Sequence, residues 1–292
     1  MSSCIKERED DCDNRVKIYF SAALDSRATG VLNPQDLKHL DLFVFDDNDL
    51  YVGTWSDDHI RFSPDYFMTL SLNNGAYTFV TWCNARSCYY YKTYFVKGRT
   101  TLSEATIALI HSNGTVDTSP ELLLFGNYLQ ARVIRARNQS FVVPLQRVTY
   151  DINVTTEGLP PSADEFTLTV NDIVSEGKFD SKVSPSSEEI RYTTACDKIA
   201  GDQLSASLTV IKLEEERLIP VIVLANTTSG TELFKGNLVK MILALRQLTP
   251  PVEVDFDRVY TYDIVLRFDA DMNVTISING WNVPPGSGID LE

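Results

Sequence analysis

Apolar residues along this chain recur mostly at every second position, in short runs punctuated by Asp, Asn, Gly and Pro. That is the period of a strand with one buried face. Arg15 to Ala23 (RVKIYFSAA) sets Val16, Ile18 and Phe20 on one side. Leu40 to Trp55 holds two apolar runs around Asp46-Asp47-Asn48-Asp49 and predicts a hairpin. Tyr66 to Leu72 and Tyr77 to Trp82 flank Asn73-Asn74-Gly75, which predicts a second pair of strands. Thr106 to Ile110, Glu121 to Phe125 and Gln139 to Val143 complete the strands predicted for the first half.

Near residue 146 the pattern restarts. Arg147 to Thr155 alternates Val148, Tyr150, Ile152 and Val154. Phe166 to Val170 reads as a strand and Ser184 to Ser187 as a Ser/Pro-rich break; Leu204 to Leu213 and Leu218 to Leu224 are further strands. Within Gly236 to Leu248, Leu238, Met241, Ile242 and Leu245 fall at helical spacing before Pro250. Asn33-Pro34 predicts a short helical turn. Tyr260 to Phe268 and Asn273 to Val283 form a closing hairpin about Asp269-Ala270-Asp271. No βαβ rhythm occurs. The expected fold is all-β with a minor helix, in two tandem β-sandwich domains at 15–145 and 146–292, behind a charged segment at 1–14.

Charge and candidate chemistry narrow the function. The 292 residues carry 26 basic and 40 acidic side chains, a net charge of −14, which argues against nucleic acid as a partner. No apolar run reaches the roughly 18 residues of a spanning helix, and no secretory leader is evident. None of the five cysteines forms CxxC or has zinc spacing. Cys83 and Cys88 flank a short loop and are candidates for a local disulfide, with Cys12 a rival partner; buried or free thiols are the alternative. His39, His59 and His111 have unrelated contexts and read as surface or internally satisfied residues. Asp269 to Asn273 reads D-x-D-x-N, yet Val274 replaces the glycine a calcium loop needs, so it and Asp46 to Asp49 are expected to be turns. No nucleotide or catalytic motif is present, and no metal, cofactor or catalytic residue is expected. Tyr89-Tyr90-Tyr91 with Tyr94 and Phe95 reads either as a strand with alternately buried rings or as a rim for a glycan or protein partner.

The N-terminus supplies a last motif. Ser2-Ser3-Cys4 is similar to the end of a bacterial lipoprotein signal, whose cysteine is acylated, and Met1 fits a start placed at the processing point. Lys6 to Asp11 then fits a solvated tether and resembles the acidic surface-export signal of Bacteroidetes lipoproteins. Several stretches taken in order extend this likeness: Cys4-Ile-Lys-Glu with Asp11-Cys12, Leu42-Phe-Val-Phe-Asp46, Leu50-Tyr-Val, Gly75-Ala-Tyr-Thr-Phe-Val-Thr-Trp82, Leu124-Phe-Gly126, and Val274-Thr-Ile-Ser-Ile-Asn-Gly-Trp-Asn-Val283. Together they resemble the FimB-like family of fimbrial anchor and accessory subunits from Bacteroidales. The resemblance implies two transthyretin-like sandwiches, lipidation at Cys4, exposure on the outer membrane, no enzymatic activity, and a fimbrial shaft subunit as partner. It also implies an anchor that can limit fimbrial length. A shaft or tip adhesin subunit and a glycan-binding surface lipoprotein are the alternatives. Shaft subunits of such a family would lose the first strand to a trypsin-like protease and accept a neighbour's strand. Here that strand is Val16 to Ala23, with Arg27 the candidate cleavage point or an ordinary loop arginine. The proline- and glycine-rich stretch after Val283 is a poor strand donor, so the isolated protein is expected to be a monomer.

Overall fold

The computed structural model describes residues 15–22, 34–85, 90–117, 124–134, 138–162, 164–179, 183–199 and 203–287. Strands of the first half are β1 (Arg15–Ala22), β2 (Leu40–Phe45), β3 (Tyr51–Asp57), β4 (Phe67–Ser71), β5 (Gly75–Cys83), β6 (Tyr90–Lys92), β7 (Thr106–Leu109), β8 (Thr115–Asp117), β9 (Phe125–Val133) and β10 (Gln139–Arg147). Those of the second are β11 (Thr149–Glu157), β12 (Phe166–Lys178), β13 (Val183–Ala195), β14 (Asp197–Lys198), β15 (Leu204–Ile211), β16 (Val221–Asn226), β17 (Glu232–Asn237), β18 (Thr261–Phe268), β19 (Val274–Ile278) and β20 (Trp281–Asn282). One short helix, α1 (Leu238–Ala244), follows β17. The fold is all-β, as the two-residue period requires.

Three sheets organise these strands. The first runs β3-β2-β5-β9-β10-β1-β4. Within it β10 changes partner: residues 139–145 run parallel to β1, whereas Gln146 and Arg147 pair antiparallel with β9. The sheet therefore folds over at β10 and closes on a core that includes Val16, Ile18, Phe20, Leu40, Leu42, Phe79, Val143 and Leu145. The second sheet runs β14-β15-β11-β18-β19-β20, and the third β17-β16-β12-β13-β8 with β6 and β7 attached to the far end of β12. A second, larger core joins these two sheets. Strands β6, β7 and β8 precede residue 146 in the chain yet belong to the sheet of β12 and β13.

That crossing explains the composition of β2. Leu40-Asp-Leu-Phe-Val-Phe45 is buried at all six positions. Leu40, Leu42 and Val44 face the core of their own sandwich, while Phe43 and Phe45 enter the larger core. A strand covered on both faces reads as a continuous apolar run.

Two expectations change. The strands on either side of Asn73-Asn74-Gly75 are not partners: β4 pairs with β1, and β5 with β2 and β9. The turn carries the chain from one layer of the sandwich to the other, and a local turn signal carries no information about which neighbour each strand meets. Ser184 to Ser187 is not a break but part of β13. Pro185 is tolerated because it stands where the β12–β13 register is irregular and β8 does not reach; β8 pairs only with Arg191 to Thr193. The predicted helix is α1 followed by a 3-10 turn at Leu245–Gln247. Its four apolar positions are buried, and the Asn237 side chain caps it by accepting from the Lys240 amide.

Candidate functional site

The first strand is held on both sides. β1 lies between β10, parallel to it, and β4, antiparallel to it, with Ile18 opposite Phe141 and Met68. Val16, Ile18 and Phe20 are essentially inaccessible to solvent. At roughly 1.5–3 kcal/mol for each buried side chain, their burial contributes on the order of 5–9 kcal/mol, gross of chain entropy. Outward, Lys17 stands over the Phe67 ring at 4.5 Å, and the Tyr19 and Phe67 rings are 5.3 Å apart. Withdrawing β1 would bare the backbone edges of β10 and β4 and open the core beneath, which is the geometry that accepts an incoming strand.

The last strands are equally committed. β19 pairs with β18 and β20, and the Val283 amide donates to the Ile276 carbonyl at 2.9 Å. Ile276 and Ile278 are buried in the larger core.

Cys4, Cys12, Arg27 and Cys88 lie outside the described residues. Cys83 is a buried free thiol, and burial pushes its pKa well above the ordinary thiol range. The Asp46 carboxylate accepts from the amides of Asn48 and Leu50, and Asp269 from those of Asp271 and Asn273, so both aspartates close turns. In the aromatic stretch, Tyr90 is buried and Phe95 packs 5.0 Å from Phe43 and 5.5 Å from Phe179. Tyr94 is 88 % exposed. Tyr89 and the Tyr91 side chain lie outside what the structure describes, and the described rings do not share one exposed face.

A charged cluster went unnoticed in the sequence. Asp41, on the face of β2 that meets the larger core, is 3 % exposed. Lys92 of β6 donates to it, Ser56 of β3 donates at 2.5 Å, and His39 Nε2 donates at 3.0 Å. The other ring nitrogen of His39 donates to Asp58 at 2.7 Å. Burial alone would raise the Asp41 pKa; the bonds from His39, Lys92 and Ser56 outweigh it and bring the value down to about 2. The bond to Asp41, assisted by Asp58, raises the His39 pKa. The sequence reading of His39 as a surface or internally satisfied residue agrees with both ring nitrogens being bonded here. The available signal was Asp41 itself, a carboxylate inside an otherwise apolar strand.

Comparison with known proteins follows the same lines. Residues 9–284 match the family described as Mfa2, the fimbrillin-A associated anchor proteins Mfa1 and Mfa2. No curated protein matches the chain by sequence. The fold is similar to that of a Bacteroides thetaiotaomicron protein described as a candidate polysaccharide-binding protein, with TM-score 0.78, 17 % identity, and coverage of 92 % of this chain and 96 % of that one. It is similar to the fimbrial anchor protein Mfa2 of Porphyromonas gingivalis, with TM-score 0.76, 17 % identity, and coverage of 92 % and 98 %. A candidate adhesin of Bacteroides ovatus gives TM-score 0.73 and 18 % identity over 93 % and 95 % of the two chains.

Proposed function

This chain belongs to the family of fimbrillin-A associated anchor proteins, and from that membership we propose that it is the lipid-anchored base subunit of a fimbria, a structural protein without catalysis. Acylation falls on Cys4, the residues to position 14 form the tether, and the sandwiches stand outside the outer membrane. The partner is a shaft subunit, met through a surface contact or a single strand exchange. Limiting fimbrial length is the consequence of occupying one end.

The observation that carries this reading is the double commitment of β1 and β19. With β1 seated between β10 and β4, its own place in the first sandwich is filled; with β19 paired on both sides, lending it would open the larger core. A subunit in this state neither accepts nor donates a strand to its own kind, as befits an end of the fibre. A shaft subunit needs the opposite. The burial of Tyr90 and the packing of the half-buried Phe95 against the larger core weigh against a glycan rim at the aromatic stretch.

Two measurements test this. In the lipoprotein precursor, Cys4→Ala should shift the protein from the membrane to the soluble fraction; equal membrane association would remove the anchor. Purified protein should remain monomeric by light scattering with or without trypsin. Ladder-like polymers after cleavage at Arg27 would make it a shaft subunit.

A further inference from the structure

A cavity of about 50 Å³ lies where the two halves of the chain meet. Trp82 of β5, Tyr90 of β6 and Ile107 of β7 form its apolar wall, and Arg147, Lys178 and Lys212 supply charge. The Trp82 indole is held in a close-fitting slot. A Cβ on Gly126 would stand 2.6 Å from the ring, and one on Gly177 would stand 3.3 Å from it. Trp82 is 5 % and Arg147 8 % exposed.

Two features call for an acceptor. The Trp82 Nε1–H and the Arg147 Nε–H are buried with no hydrogen-bond partner. A buried donor left dry forfeits its solvation without a replacement bond. The three cations have two carboxylate neighbours between them: Arg147 Nη2 is 2.6 Å from Asp151, and Lys212 is 3.2 Å from Asp257. Among the described residues no carboxylate pairs with Lys178. Among the described residues the cavity thus keeps one positive charge in excess, in a chain whose net charge is −14.

Size and lining then define the ligand. At about 10–15 Å³ per water, the cavity holds roughly three to five water-sized groups. That matches two oxygens and two or three carbons. We propose that this cavity binds a short aliphatic carboxylate of acetate or propionate size. The carboxylate accepts from Trp82 and Arg147 and offsets the charge of Lys178; the alkyl end lies against Tyr90 and Ile107. Water alone would satisfy the donors but would leave the charge and the apolar wall unused. This site is independent of any role in a fimbria.

The test reads the indole N–H signals by proton–nitrogen correlation NMR. Trp55, Trp82 and Trp281 are the three tryptophans, and Trp82→Phe assigns the signal. Sodium propionate should shift the Trp82 signal saturably, at ionic strength held constant with sodium chloride. Lys178→Gln, on the cavity rim, should weaken binding severalfold without unfolding the protein. Arg147→Gln should abolish it, and because that variant is the one at risk of misfolding, neutral propionamide is the parallel control and should give no saturable shift. A Trp82 signal that does not respond to propionate would mean a hydrated cavity only. An equal response to propionamide, or to chloride, would likewise overturn the carboxylate site.

Discussion

Lys92 of β6 donates a hydrogen bond to Asp41 of β2 and so ties the segment that belongs to the β12–β13 sheet onto the first sandwich. The same ammonium lies 5.9 Å from the Phe43 ring. Around this contact Phe43, Phe45, Tyr51, Phe95 and Phe179 meet edge to face or tilted, with centroids 4.8–6.3 Å apart. The seam is therefore an aromatic cluster with one charged tie at its margin.

Asp41→Asn removes the charge that three donors share. Breaking a fully buried pair costs about 3–5 kcal/mol. Lys92 keeps 24 % of its side chain exposed and can regain water, so the expected loss is about 2–3 kcal/mol. Urea unfolding with unchanged m-value is the measurement. A shift within error would mean that the tie is dispensable.

The same cluster sets a pH profile. The Asp41 pKa falls from 3.8 to about 2, so its contribution of about 2 kcal/mol is present above 3.8 and is lost as pH drops toward 2. The His39 pKa is raised above 6.5, so its contribution is present below 6.5 and is lost as pH rises through the folded value. The stability gap between wild type and His39→Gln should be widest between about pH 4 and 6.5 and should narrow above neutrality. A gap that widens with rising pH would have the wrong sign.

Gly126→Ala should drive its methyl into the Trp82 ring, 2.6 Å away. Overpacking of this kind costs about 1–3 kcal/mol. Gly177→Ala, with 3.3 Å to the same ring, should cost less. Melting temperature followed by tryptophan fluorescence ranks the two, and the reverse order would show that the indole yields away from β9.

Arg217 donates to Asp172, and both are almost wholly buried beside the irregular stretch of β12. Arg217→Met strands a buried carboxylate and should cost about 3–5 kcal/mol. Adding Asp172→Leu should recover most of that. Additive losses in the double-mutant cycle would show that the two side chains act separately.

Cys83 should resist maleimide until the first sandwich unfolds, because it is fully buried and its thiol pKa lies far above assay pH. Cys196 is half-buried, with its pKa pushed up to about 12, and should label sooner through local opening. Peptide mapping separates the sites. Cys83 that stays unlabelled in urea, and labels only after reduction, would reveal a bridge to Cys88.

Period-two alternation made much of the fold legible. Val16, Ile18 and Phe20 announce the inner face of β1, and Asp46 and Asp269 announce the turns they close. The charged cluster was not legible, since Asp41 and Lys92 are 51 positions apart and, with His39 and Ser56, meet only across strands. Pro185 misled because proline signals a break unless the strand is unpaired on one side at that point, which is a property of neighbours.

The sequence by itself determined which residues alternate, where the chain turns, and that a helix with Leu238, Met241, Ile242 and Leu245 inward ends before Pro250; these are local consequences of backbone geometry and side-chain period. Only the tertiary structure decided that β4 and β5 part company across their turn, that β6 to β8 join the later half, and that β10 serves two partners in succession. Those outcomes depend on which apolar faces cover one another, and burial is indifferent to distance along the chain. For the same reason Asp41 became the tie between the two halves: a carboxylate under Phe43 must find donors, and the donors within reach were those that folding had brought there.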